Sequence, residues 1–340
     1  MKNTAYFFIS AISIVIMLAY GKSLLIPFVF AMLLWFVVRK IRQELNKVKF
    51  INKYFPTWLK NLIPSVLLVV TLAFIAKLLT ANITVLTKSY SLYEGNVEVM
   101  ITQLNERFQI NLIDFFKSNS GAFNFGAILQ KIIESLSSLV SNTFIILIYF
   151  LFILLEESHF DTKLKTIFYG NNQFLKLANV LEEIESSVSK YIGLKTLVSF
   201  ITGFASYVAL FFIGVDAPLF WAFLIFLLNF IPTIGSFIGT IFPVIFCLLQ
   251  FGDFSKGLLV LGVVGSIQVL VGNVLEPKLT GNSLNVSPLV TIIALSFWGA
   301  LWGVTGMLIS VPITVIMIIV FSHFKSTKAI AVMLSEKGKV

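Results

Sequence analysis

Charge is scarce in this chain of 340 residues: Asp, Glu, Lys and Arg together make up 12%, where soluble domains carry about 25%. Ala217–Gly252 and Leu279–Ser322 hold no charged residue at all, and each outruns the about 20 residues that cross a bilayer. Cysteine occurs once, as Cys247 in an apolar run, so no internal disulfide forms and the thiol reads as packing. Histidine occurs twice, as His159 and His323. His159 stands near Asp161, Glu156 and Glu157, but this cluster lacks a second soft ligand and reads as the hydrated end of a span. No GxxxxGK(S/T) phosphate loop occurs, which argues against ATP as the direct driving force. No paired Asp or His at membrane depth marks an intramembrane protease. The chain is therefore expected to be no enzyme and to use no cofactor and no metal.

What is present is apolar. Hydrophobic residues make up 58% of the chain, with 35 phenylalanines, more than a soluble protein of this length can hide. Candidate spans are 5–21, 23–38, 62–86, 136–155, 196–214, 218–250, 257–275 and 288–322. The fold class expected is all-α: a polytopic helical membrane protein of about eight transmembrane segments, two of them long and interrupted by glycine and proline. Lys2 followed by Ala5–Tyr20 resembles a signal peptide, but a second apolar stretch follows at Ser23, so a transmembrane hairpin explains both better.

The net charge of +9 reads as cytoplasmic loops, not as nucleic-acid binding. Arg39, Lys40, Arg42, Lys47, Lys49, Lys53 and Lys60 fall in the linker 39–60, and Lys325, Lys328, Lys337 and Lys339 in the tail. Both segments, and with them both termini, are expected in the cytoplasm of a cell with an inner membrane. Eight crossings satisfy this; so do six crossings plus two re-entrant hairpins, and charge does not separate the two. In order, the organisation expected is N-terminal spans over 1–87, an extracytoplasmic helical lobe over 88–135, and a fourth span with a cytoplasmic amphipathic helix over 136–195. A transport core comes next over 196–322, then the basic tail 323–340. Val97, Ile101, Leu104 and Phe108 mark the outer lobe as amphipathic. Leu177, Leu181, Ile184, Val188 and Tyr191 do the same for the inner helix, whose stripe calls for a membrane surface or a neighbouring copy, hence an expected homo-oligomer.

The residues that point to function are those that break helices in apolar surroundings. Backbone that is not helical survives in a bilayer only against protein or a watery cavity. Asn229, Pro232, Gly235 and Gly239 cluster in the first charge-free run, and Gly303, Gly306 and Pro312 in the second, with breaks expected around 231–239 and 298–306. Helix ends set there aim partial charges at a solute or ion, although glycine and proline also serve close helix packing. Between the runs, Gln268 and Asn273 lie in an apolar span that ends at Glu276, Pro277 and Lys278, followed by Gly281 and Pro288. Polar groups at that depth are costly and are usually functional; Glu276 also fits an interfacial anchor.

Three stretches, NFIPTIGSFIGTIFPVI, Gln268 followed by NVLEPKLTG and Pro288, and GVTGMLISVPI, resemble the autoinducer-2 exporter family of PerM-type permeases. The resemblance covers the whole chain in span layout and is sharpest over about 190–322. It implies an eight-span inner-membrane protein; some members are assigned to autoinducer-2 export, others to sodium- or lithium-for-proton exchange. The expected function is a permease exporting a small polar solute, with an autoinducer-2 type signal as the candidate implied by the resemblance. The alternatives are a monovalent cation/proton antiporter, for which Glu276 is the one carboxylate available, and a non-transporting oligomeric scaffold. Membrane lipid and a small solute or monovalent cation are the expected partners.

Overall fold

The computed structural model describes residues 2–48, most of 55–81, residue 96, and 125–167, 173–280 and 285–338. Every regular element among them is a helix: α1 (Lys2–Tyr20), α2 (Lys22–Lys47), α3 (Phe125–Ile167), α4 (Gln173–Ile213), α5 (Pro218–Leu228), α6 (Ile234–Phe251), α7 (Phe254–Leu270), a π turn (Val271–Leu275), α8 (Glu276–Thr280), α9 (Pro288–His323) and α10 (Lys328–Leu334). Among the described residues, five helices are long and apolar enough to cross a membrane: Lys22–Lys47, Leu177–Ile213, Ile234–Phe251, Phe254–Leu279 and Pro288–Ser322. This is the all-α, polytopic class expected. Gly281 and most of the lobe 88–135, including its stripe Val97–Phe108, lie outside the described residues.

The chain forms two compact units. One comprises Met1–Val69, Asn142–Leu194 and Thr280–Val340; the other comprises Val70–Ser141 and Lys195–Leu279.

In the first unit, α9 doubles back. Ser287, just before it, donates its N–H to the Leu334 carbonyl at 3.1 Å, and Glu336 donates to Asn285 at 3.3 Å. A straight helix over Pro288–His323 would be about 54 Å long. The stretch from His323 to Leu334 spans at most about 40 Å when fully extended, so the helix must fold. It folds at Gly303, whose φ of 64° and ψ of −145° suit glycine alone. Across the bend, a Cβ on Gly306 would lie 2.0 Å from the Trp298 carbonyl oxygen, so the two arms touch through bare backbone. Beside the bend, the Trp302 indole donates to the Leu18 carbonyl at 2.9 Å. The bend is thus a single residue within the expected 298–306, while Gly306 and Pro312 lie inside the returning arm.

The same unit corrects the reading of Leu177–Tyr191. Its inward stripe, Val180, Ile184, Val188, Tyr191 and Ile192, packs on Phe36 of α2 and on Val311, Val315 and Ile319 of α9. Ile184, Val188 and Tyr191 of the expected stripe are thus covered inside the chain, while Leu177 and Leu181 are half-buried. Helix α4 also runs unbroken from Gln173 to Ile213, joining what was read as a surface helix to a span. The basic segment starting at Arg39 begins on α2 and meets acidic partners. Arg39 lies 2.7 Å from Glu185 and 3.8 Å from Glu157, Arg42 pairs with Glu157, and the Trp35 indole donates to Glu157 at 3.0 Å. Burial works to raise the Glu157 carboxyl, but hydrogen bonds from Arg42 and Trp35 outweigh it and hold it below the usual carboxylate range.

In the second unit, α5 and α6 form a hairpin. Gln250, near the end of α6, donates to the Gly214 carbonyl at 3.0 Å and accepts from the Asp216 N–H at 2.8 Å, so the segment 218–250 ends where it began. Pro218 opens α5 at a position where no N–H is needed. The turn lies at Asn229–Thr233, earlier than the expected 231–239, because Pro232 cannot continue the hydrogen-bond ladder. Thr233 has φ 60° and ψ −57°, and Ile234 donates to the Pro232 carbonyl at 2.6 Å. That is a γ-turn of the rarer, strained hand on a β-branched residue. Gly235 and Gly239 are not part of the break; they sit in the first turns of α6, where they let α5 approach.

Candidate functional site

In the second unit, four helical segments close a circuit, and each junction is a polar contact or a bare glycine. Between α4 and α5, a Cβ on Gly203 would lie 3.0 Å from the Ala222 carbonyl oxygen. At the end of α5, the Asn229 amide donates to Ser199 of α4 at 3.1 Å. The arms α5 and α6 meet at Gly235, where an added Cβ would lie 1.8 Å from the Leu228 carbonyl oxygen. Gly239 brings α6 onto α7, where its missing Cβ would lie 3.3 Å from the Gln268 amide nitrogen. The circuit closes where Glu276, at the start of α8, pairs with Lys195 of α4.

The interior groups reflect helical periodicity. Lys195, Ser199, Thr202 and Ser206 recur every three or four residues along α4, so they share one face. All four are buried: Lys195 is 7% exposed and the three hydroxyl residues 0%. The stripe rises about 16 Å along the helix, roughly half of a hydrocarbon core about 30 Å thick. Thr202 returns its hydroxyl proton to the Val198 carbonyl at 2.9 Å, whereas the buried Ser206 hydroxyl has no partner among the described residues. Asn229, Thr240 and Gln268, each less than a tenth exposed, add uncharged polar groups from α5, α6 and α7.

Charge in this interior is balanced. A lysine as buried as Lys195 is tolerated when its charge is compensated, and the Glu276 carboxylate compensates it. Glu276 itself is less enclosed, with 29% of its side chain exposed, so the pair stands at an edge of the polar stripe. The π turn Val271–Leu275 precedes Glu276 directly. It inserts extra backbone into the helix and re-aims the residues of α8, a feature that recurs at functional sites.

Of the residues singled out in the sequence, the structure brings Asn229, Gly235, Gly239, Gln268 and Glu276 into this unit's interior or its junctions. Pro232 shapes the α5–α6 turn; Asn273 and Pro277 are exposed on the π turn and α8. Gly303, Gly306 and Pro312 build the other unit's hairpin, and Pro288 starts it. Sequence reasoning missed Lys195, Ser199, Thr202 and Ser206. The signal was there, as hydroxyls at helical spacing in an apolar run beginning with a lysine. Glu276 also changes meaning: read alone it fits an interfacial anchor, but beside Lys195 its loss strands a buried cation.

The family model described as AI-2E family transporter matches residues 7–326. A Borreliella burgdorferi protein named "Putative transport protein" is 33% identical over 257 residues, 74% of this chain and 70% of that one. The AI-2 transport protein TqsA of Escherichia coli K12 is 29% identical over 328 residues, 94% of this chain and 92% of its own.

Proposed function

The chain belongs to the AI-2E transporter family, and we propose that it exports a small polar solute along the polar stripe of α4. It is a membrane-embedded transporter and not an enzyme. The observation that carries the reading is the buried, charge-balanced row Lys195–Ser199–Thr202–Ser206, which the ion pair with Glu276 and the hydrogen bond with Asn229 tie to neighbouring segments. Uncharged donors and acceptors with no net charge suit an uncharged, hydroxylated solute, since among the described residues of this interior an ion would find no spare counter-charge. The printed name of TqsA supplies autoinducer-2 as the first solute to try.

The hairpins support six crossings and two re-entrant segments over eight crossings. α5, with 11 residues, is about 16 Å long and too short to cross a core of about 30 Å, and α6 returns to Gly214 and Asp216. Asn96, in the segment read as extracytoplasmic, donates to the Leu249 and Gln250 carbonyls at 2.9 Å, so this hairpin enters from outside. The α9 hairpin starts and ends beside the basic tail, so it enters from the cytoplasm of a bacterial inner membrane.

A second reading, exchange of a monovalent cation for a proton, is favoured by one observation, the pairing of Glu276 with Lys195. In that reading the Glu276 carboxylate is the group at which a cation would take the place of the Lys195 ammonium. Efflux from proteoliposomes separates the two. The solute reading expects saturable efflux of autoinducer-2 without sodium; the exchange reading expects sodium uptake that alkalises the lumen, since each sodium entering is exchanged for a proton leaving. Neither flux above that of protein-free liposomes would overturn both.

A further inference from the structure

Resting on the solute-export reading, we infer that Gln268 is the specificity-determining hydrogen-bond donor to the solute, in a notch made by Gly239. Along α7 and the π turn, Gly257, Val260, Val264, Gln268 and Val271 form one buried face. Gln268 is the polar member of that face, 7% exposed. Its amide nitrogen is fully buried and has no hydrogen-bond partner among the described residues. A donor left unpaired there is unfavourable, and in an apolar span no surrounding lipid could satisfy it. The group packs against the bare backbone of Gly239. It lies 3.3 Å from where a Cβ on Gly239 would stand, and Ile225 lies 3.5 Å from the same point. The neighbouring Thr240 spends its hydroxyl proton on the Ser236 carbonyl, which leaves its oxygen lone pairs but no donor. The vacant hydrogen bond is therefore a donor waiting for an acceptor oxygen, a hydroxyl, ether or carbonyl on an uncharged solute. A carboxylate or phosphate fits poorly, because Lys195, a buried cation of the same unit, is already paired with Glu276.

The test uses Gln268→Met, which keeps the length of the side chain and removes the donor, in the full-length protein. Two readouts are taken: the thermal midpoint in detergent without solute, and the KM for autoinducer-2 efflux from proteoliposomes. A donor with no internal partner predicts a midpoint unchanged or raised, since an orphan polar group is replaced by an apolar one. The same variant should raise KM about five- to tenfold, the size of one neutral hydrogen bond. Gly239→Ala, which fills the notch, should raise KM as well, while Gly262→Ala, with open space around its Cβ, should not. A lowered midpoint in Gln268→Met would show that the amide already has a partner and would overturn the inference. An unchanged KM would overturn it too. Should the wild type carry no autoinducer-2, the export reading fails on that solute, and the midpoint of Gln268→Met decides the state of the donor by itself.

Discussion

Gly235→Ala is expected to abolish transport and to sharply reduce the yield of folded protein, although it adds a single methyl group. That methyl would lie 1.8 Å from the Leu228 carbonyl oxygen and 2.7 Å from its carbon. Both are backbone atoms, so no side-chain rotation relieves the clash, and the arms α5 and α6 must separate. The penalty exceeds the about 1–3 kcal/mol of ordinary overpacking, which is largely relieved by side-chain movement. Separating the arms also displaces Asn229 from Ser199, so the loss of function does not depend on what solute is carried. Gly262→Ala in the same unit is the control, because its Cβ meets nothing within 4 Å. Size-exclusion profile and efflux together check the prediction: a monodisperse, fully active Gly235→Ala protein would mean that the arms do not meet at this glycine.

The second large effect concerns the ion pair. Glu276→Gln leaves the Lys195 ammonium buried without a counter-charge, and breaking a buried pair in this way costs about 3–5 kcal/mol. Lys195→Met should be milder, because the carboxylate it strands is 29% exposed, whereas Lys195 is 7% exposed. The double variant Lys195→Met/Glu276→Gln strands nothing and is expected to recover most of the lost stability. The expected order of thermal midpoints is wild type near the double variant, then Lys195→Met, then Glu276→Gln. If the charges serve transport as well as folding, the double variant is stable and inactive. A double variant no more stable than Glu276→Gln would show that the two residues are not coupled.

How much of this was legible in the sequence depends on how far apart the deciding residues lie. The charge-free runs identified the class outright, because nothing but a membrane tolerates them. Their glycines and prolines pointed to interruption but conflated two roles. Pro232 and Gly303 break the helix, whereas Gly235 and Gly306 sit within helices and allow the returning arm to touch backbone. A glycine looks the same in sequence whichever it does. That 218–250 and 288–322 fold back on themselves was not readable, since the contacts that close them, Gln250 to Gly214 and Leu334 to Ser287, join residues far apart in the chain. The stripe Leu177–Tyr191 was visible as apolar, but its partners Phe36, Val311, Val315 and Ile319 come from distant segments, so the sequence did not show what covers it. The polar row on α4 was legible and overlooked: three hydroxyls hardly dent the hydropathy of a span, and only their helical spacing shows that they share a face.

The most direct measurement places a thiol in that row. In a Cys247→Ser background, Thr202→Cys keeps a small side chain on the buried face of α4, one turn from Ser199 and from Ser206. Proteoliposomes loaded with autoinducer-2 are treated with a small, membrane-permeant methanethiosulfonate, with and without excess solute on both sides, and efflux is then timed. The expected result is loss of efflux on modification and protection by the solute, as a thiol lining the path requires. Efflux that survives complete modification of Cys at position 202 would place the path elsewhere and contradict the assignment of this unit as the route of transport.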